Sequence, residues 1–328
     1  MEFKAAGKLK ISFTWKRFLL MLFVVFVVLT YFSVLLCYSQ KSKLNKEVFY
    51  NPIPTATEKV PENISLFIAG DVMLGRTVMG KSYELDDFSY PFRKVSDVMR
   101  ESDITFVNLE NPIVESCPFR EIGLIFCATQ EMLDGLTFSG VDVVNLANNH
   151  TLNYGRSGLN ETLEYLKAKN ILVTGVEYLI TLKRNGVVFG FLGFDKSEQV
   201  NPKLTQDEVD LIVSSDKKVD ILVVSMHWGV EYQDKALPGV RSLAKDIVGY
   251  GADLIVGHHP HWVQDWEYIE SKPVFYSLGN FVFDQMWSER TKKGLAVMLT
   301  YDSEGNLTDY ELLSTYMSSW SQPEFVSN

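Results

Sequence analysis

The 328-residue chain is 46% hydrophobic and carries a formal charge of −10, which leaves room for one large domain once any targeting segment is set aside. The charge is uneven: residues 1–59 hold nine Lys/Arg against three Asp/Glu, a net +6, which leaves −16 for residues 60–328. So acidic a body, with no Lys/Arg cluster, repels phosphodiester backbones and argues against nucleic acid as a partner.

From Phe18 to Cys37 the run FLLMLFVVFVVLTYFSVLLC contains no charged side chain. Twenty apolar-dominated residues at helical rise span the hydrocarbon core of a bilayer, and a buried core helix is seldom apolar on every face. The run leaves through Leu35, Leu36, Cys37 and Tyr38, bulky where a signal-peptide exit is small. Leu36 also fits a lipoprotein cysteine site poorly. The sequence thus predicts a basic cytoplasmic tail over 1–17 and an uncleaved transmembrane signal anchor over 18–38. Lys4, Lys8, Lys10, Lys16 and Arg17 outnumber Lys41, Lys43 and Lys46 across the span. This puts the amino terminus inside and the rest of the chain outside the cell membrane. Residues 39–62 are polar, hold Pro52, Pro54 and Pro61, and read as an extracytoplasmic linker.

A folded domain is expected over 63–328. Short apolar runs read as strands: ISLFIA at 64–69, ITFVNL at 104–109, VDVVNL at 141–146, VDILVVS at 219–225 and ADLIVG at 252–257. Helical spacing lies between them at 92–100, at 158–169 and at 238–250, where Pro238 opens the first turn and Gly251 stops it. Alternation of this kind indicates layered α/β architecture. The runs at 187–194, 273–283 and 294–302 lack intervening helices, which fits two packed sheets with outer helices better than one doubly wound sheet. Outside the membrane segment only Cys117 and Cys127 remain, ten positions apart, able to close a loop in an oxidising compartment or to stay as buried thiols.

The five histidines, His150, His227, His258, His259 and His261, each follow a predicted strand end, where α/β folds bind ligands. Oxygen ligands obey the same rule: Asp71 ends the first strand, Asn108 and Glu110 the second, and Asn149 precedes His150. Imidazole, carboxylate and amide oxygen together suit Zn, Mn or Fe.

Six blocks in order, GDVMLGR (70–76), NLENPI (108–113), LANNHTLNYG (146–155), HWGVEY (227–232), GHHPHWVQ (257–264) and YSLGNFVFD (276–284), resemble the signatures of the CapA (poly-gamma-glutamate capsule synthesis) family. That family resembles the metallo-dependent phosphatases, so the resemblance implies a four-layer α/β/β/α sandwich. It places Asp71 at the first aspartate position, Glu110 near the bridging aspartate with Asn108 beside it, and Asn149 and His227 as ligands. His150 matches the histidine that protonates a leaving group. The histidine normally two residues after the aspartate is Met73 here, and thioether sulfur is a poor ligand for hard cations, so one divalent ion or two unequal ones are implied. In Gly257-His258-His259-Pro260-His261, either His258 or His259 can join His261, and the first pair is favoured. Arg76 is a candidate for pairing an anionic substrate group or for a surface salt bridge, and Glu231 for orienting a ligand or acting as a base. Asn280 is expected to support the histidine loop. The implied role is synthesis, transfer or surface attachment of poly-gamma-glutamate or a related anionic polymer, by a metal-dependent hydrolase or transferase acting on phosphoester or gamma-glutamyl bonds. The rival class is a non-catalytic polymer binder, or a scaffold for membrane polymer-synthase subunits.

Overall fold

The computed structural model describes residues 63–327 apart from Glu177 and Glu198. The predicted tail, anchor and linker lie outside the described residues, among which no helix is long and apolar enough to cross a membrane. In chain order the first half runs β1 (Asn63–Val72), α1 (Arg76–Glu84), α2 (Ser96–Glu101), β2 (Ile104–Leu109), α3 (Leu133–Phe138), β3 (Val143–Asn145), α4 (Gly155–Ala168) and β4 (Leu172–Thr174). It continues as β5 (Ile180–Arg184), β6 (Val187–Lys196), α5 (Gln206–Asp216), β7 (Ile221–Trp228), α6 (Pro238–Gly249) and β8 (Leu254–His258). Six strands close the chain: β9 (Trp266–Ile269), β10 (Lys272–Phe275), β11 (Asn280–Val282), β12 (Lys293–Asp302), β13 (Leu307–Ser319) and β14 (Gln322–Phe325).

Two sheets result. The first has the order β14-β13-β12-β1-β2-β3-β4, with β11 pairing the end of β1, and the second has the order β5-β6-β7-β8-β10-β9. Side chains alternate across each strand, and that parity sorts the apolar residues into three cores. Ile64, Leu66, Ile68 and Phe106 meet Phe189, Phe191, Val223 and Val256 between the sheets. The opposite face of the first sheet, through Phe67, Ala69 and Val107, buries Val78, Leu136 and Leu166 of α1, α3 and α4. The outer face of the second, through Leu222, Val224 and Ile255, buries Ile212 of α5 and Val240, Leu243 and Ile247 of α6. Helices, sheet, sheet and helices therefore stack in the expected four layers.

The runs without helices form mixed sheet: β12 is antiparallel to both β1 and β13, whereas β6 is parallel to β7 and antiparallel to β5. The run 273–283 is not one strand. It breaks between β10 and β11 at Gly279, whose φ of +66° turns the chain, so that β10 joins the second sheet and β11 the first. Cys117 and Cys127 are bridged, with Cα atoms 5.7 Å apart.

Candidate metal centre

The parity that fills the inter-sheet core continues past its end. Asn108 follows Ile104 and Phe106, His227 follows Ile221 and Val223, and His258 follows Leu254 and Val256, so polar side chains line the carboxyl mouth of a core that is otherwise apolar. Asp71 shares the parity of Phe67 and Ala69, which would send it toward the helices. A bulge corrects this: Ile68 stands opposite Phe106, yet Asp71 stands opposite Asn108, three residues advancing against two. The extra residue re-aims the carboxylate into the mouth. Gly70 allows this, since a Cβ there would lie 2.0 Å from the carbonyl oxygen of Gly279.

Asp71 is fully buried. Asn108 Nδ2 donates to its Oδ1 at 2.9 Å, and the backbone N–H of His259 donates to Oδ2 at 3.3 Å. His258 Nδ1 lies 3.2 Å from Oδ1, and His261 Nδ1 lies 3.2 Å from Oδ2. Burial alone would raise this carboxyl, but contact with His258 and His261 holds it well below the usual aspartate range. Glu110 is also fully buried, yet neither carboxylate oxygen has a hydrogen-bond partner. His150 Nε2 and His261 Nε2 each stand 3.8 Å from its Oε1, and His227 Nε2 stands 3.9 Å away. Burial, then the neighbouring Asp71 charge, push the Glu110 carboxyl well above the usual range.

Around this pair the histidines differ. Burial would lower His261, but Glu110 and Asp71 raise it to about 9, and Asn280 Oδ1 sits 3.0 Å from its Nδ1, the expected support. Burial and His259 push His227 well down, and burial and His261 push His259 down. His227 Nε2 meets Asn149 Oδ1 at 3.0 Å. His259 and His261 adopt φ of +96° and +58°, a conformation that costs roughly 1–3 kcal/mol per non-glycine residue and persists where surrounding structure enforces it.

The residues fit a divalent cation. Asp71, Glu110 and His261 each offer a ligand atom within 4.8 Å of the others, and His258 Nε2 is buried without a partner while its Nδ1 faces Asp71. Unpaired buried polar atoms are costly, and carboxylate with imidazole is the donor set that Zn, Mn or Fe accept. Asn149 and His227 border the same space. His259 contributes its backbone N–H to Asp71, while its ring tilts against His227 with centroids 4.8 Å apart. Met73 is turned away, its Sδ accepting from the N–H of Gly75 at 3.1 Å.

The structure brings His150 to the rim and puts Arg76 one step further out. Asn153 Oδ1 accepts from the N–H of Phe126 at 2.6 Å and lies 3.1 Å from His150 Nδ1. An amide oxygen can only accept, so Nδ1 carries the proton and Nε2 faces Glu110 with its lone pair. Phe126 stacks on the imidazole at 3.9 Å between centroids, and burial lowers His150 to about 4. The Arg76 guanidinium pairs with buried Asp284, donates from Nη1 to the carbonyl of Gly123 at 2.7 Å, and stands 4.4 Å above the Phe126 ring. Glu231 is half-buried beside Tyr232, and its charge reaches Glu110, His150, His259 and His261.

Sequence reasoning passes over the supporting residues: Asn145 and Asn148, which hold Asn108 Oδ1 at 2.9 and 3.5 Å, and Phe126, Asn153 and Asp284. Asn145 and Asn148 carry a sequence signal, an amide at a strand end beside Asn149. Phe126 carries none, because its role depends on a loop closure joining residues 24 positions apart.

A sequence model of the family described as Bacterial capsule synthesis protein PGA_cap matches residues 65–285. The chain is 33% identical over 264 residues to Capsule biosynthesis protein CapA of Bacillus anthracis, covering 72% of this chain and 63% of that one. It thus spans just under two thirds of that relative. It is 32% identical over 305 residues to PGA biosynthesis protein CapA of Bacillus subtilis (strain 168), covering 81% of this chain and 80% of that one. Two solved structures superpose with a TM-score of 0.51 each. One is a hypothetical protein from Thermus thermophilus, at 14% identity over 76% of this chain and 98% of that one. The other is a novel phosphatase from Mycoplasma pneumoniae, at 12% identity over 77% of this chain and 93% of that one. At such identities the likeness shows a shared fold alone. With its model matched from the first strand to the last signature block, and relatives a third identical, the chain belongs to the bacterial capsule synthesis protein PGA_cap family.

Proposed function

We propose that the chain is a membrane-anchored, divalent-metal-dependent hydrolase or transferase that acts in synthesis, transfer or surface attachment of poly-gamma-glutamate or a related anionic envelope polymer. The supporting observation is Glu110: a buried carboxylate with both oxygens unpaired, beside an ionised Asp71 and facing His150, His227 and His261. A divalent ion there supplies Lewis acidity toward a carbonyl or phosphoryl oxygen and neutralises the paired carboxylates. Asn108, fixed by Asn145, holds Asp71 in position. His150 starts neutral at pH 7, its Nδ1–H directed at Asn153 and its Nε2 free to accept. It therefore takes a proton from an attacking hydroxyl or water and returns it, as imidazolium, to the departing amine or oxygen. That order differs from the simple donor role the resemblance implies. Arg76, engaged by Asp284, holds Phe126 over His150.

A second reading rests on Met73. Its sulfur is committed to a backbone turn, which removes one ligand of a paired centre and suits a polymer binder or a scaffold for membrane polymer-synthase subunits. Metal analysis of the purified chain after incubation with Zn, Mn or Fe, beside Asp71→Ala and His227→Ala, tests the site: uptake no greater than in the folded variants overturns it. Hydrolysis of phosphoesters and gamma-glutamyl polymers by the loaded protein then separates enzyme from binder.

A further inference from the structure

Among the described residues, exposed apolar side chains are densest in the segment between β2 and α3. The Cys117–Cys127 bridge closes CPFREIGLIFC into a ring. At its tip Phe119, Ile122, Leu124 and Ile125 are 56, 83, 78 and 52% exposed. Four large apolar side chains on seven consecutive residues, open to water, mark an interaction surface.

The tip is held, not frayed. The disulfide sets its base, and Arg76 grips the carbonyl of Gly123 at 2.7 Å. The Phe119 ring lies so close over Gly80 of α1 that a Cβ there would be 2.3 Å from it. The same ring of residues ends in Phe126, stacked on His150. Whatever the tip touches is therefore coupled in space to the metal centre.

Three observations select the occupant. A stable protein partner or second copy needs about 20–30 residues a side, far more than this tip offers. The segment 118–127 contains no helix or strand, so it has no edge to add to a partner's sheet and no helical face for a groove. Arg120 and Glu121 cancel, so on a domain of strongly negative charge the tip offers apolar area without electrostatic attraction. A lipid interface asks for no more than that. The chain outside the described residues fits as well, with a charge-free run at 18–37 followed by 24 polar-rich residues at 39–62.

We propose that the disulfide-closed tip 119–125 inserts into the outer surface of the membrane that residues 18–38 are expected to span, so that the metal centre works against the lipid surface. This rests on the anchor reading, and it deepens the proposed function: a polymer leaving a membrane-embedded synthase meets the site as it emerges. The test uses the full chain in vesicles of phosphatidylethanolamine and phosphatidylglycerol doped with a phosphatidylcholine carrying a diazirine on its acyl chain. After photolysis, mass mapping reads the label on each peptide. The tip peptide is expected to be labelled above the exposed turn at 302–306, and Ile122→Ser/Leu124→Ser is expected to fall to the level of that turn while keeping its unfolding temperature and its label at 18–37. Label at 18–37 with none at the wild-type tip overturns the insertion and leaves the anchor. Label at the tip with none at 18–37 overturns the anchor alone. A tip label unchanged by the double substitution, or cross-links from the tip to a second copy or another protein in place of lipid, also overturns the proposal.

Discussion

Replacing Glu110 with glutamine keeps the shape of the protonated side chain and removes its ability to ionise. In the ion-free protein the folded carboxyl is pushed well above 4.5 by burial and by Asp71, while in the unfolded chain it titrates near the ordinary value. Above pH 4.5 the unfolded state therefore releases a proton that the folded state keeps. Stability contributed by this group is complete below 4.5 and is lost as pH rises toward the folded value. The wild type should lose about 1.4 kcal/mol per pH unit relative to the variant across that window. For a domain of this size that is about 2.5 °C of unfolding temperature per unit. Scanning calorimetry in EDTA from pH 4.5 to about 6 reads the difference between the two proteins, in which the pH dependence from the lowered His150, His227 and His259, common to both, cancels. With ion at about a hundredfold above its dissociation constant, the wild type should gain about 2.7 kcal/mol and the variant much less. Parallel pH slopes for the two proteins, or equal stabilisation by ion, would falsify the assignment of Glu110 as an unpaired carboxyl reserved for a cation.

Three further outcomes are expected. Ion affinity should climb as pH rises through 7 toward 9, because His261 at about 9 and the raised Glu110 hold protons that the ion must displace, at about tenfold per unit for each proton; calorimetry in buffers of differing ionisation enthalpy counts them, and a pH-independent affinity would refute the site. Asn153→Ala frees both the His150 ring and the Phe126 N–H, and should lower turnover by on the order of 10²-fold with ion uptake unchanged; an unaltered pH–rate profile would remove Asn153 as the positioning group. Cys117→Ser/Cys127→Ser opens a loop of sequence separation ten and should cost about 2.8 kcal/mol by loop-closure entropy, read as a lowered unfolding temperature that reductant reproduces in the wild type.

Much of the fold is legible because parity and capping are local. Strand β2 matches its apolar run residue for residue, and α6 begins at Pro238, since a proline lacking an N–H fits a first helical turn. Helix α5 is absent from the expected helices although its local signal is present: Thr205 accepts from Glu208 N, and the Glu208 side chain reciprocates, the capping box of a Thr-x-x-Glu sequence. The run 273–283 is not readable in the same way. Its apolar content persists through Tyr276–Leu278, and it is Gly279, at φ +66° with its carbonyl oxygen against Gly70, that carries the chain from one sheet to the other.

The site divides along the same line. Asp71, Glu110 and the histidines announce themselves by chemical type at strand ends, yet sequence parity alone sends Asp71 to the wrong face. The bulge that corrects it depends on the Gly70–Gly279 approach, a tertiary fact invisible in GDVMLGR. The position of Arg76 after the first strand leaves an anionic substrate group and a salt bridge both open, and Asp284, 208 residues away, takes up its guanidinium. With that charge neutralised and the remaining site residues acidic or imidazole, the protein offers a polyanion little attraction until a cation is bound. Before an ion binds, the His261 imidazolium balances Asp71 and Glu110 keeps its proton, so an ion that displaces those protons would offer a carboxylate-rich chain a coordination position and not a change of net charge. Under the proposed function, polymer and ion would therefore bind with positive coupling, each raising the affinity for the other.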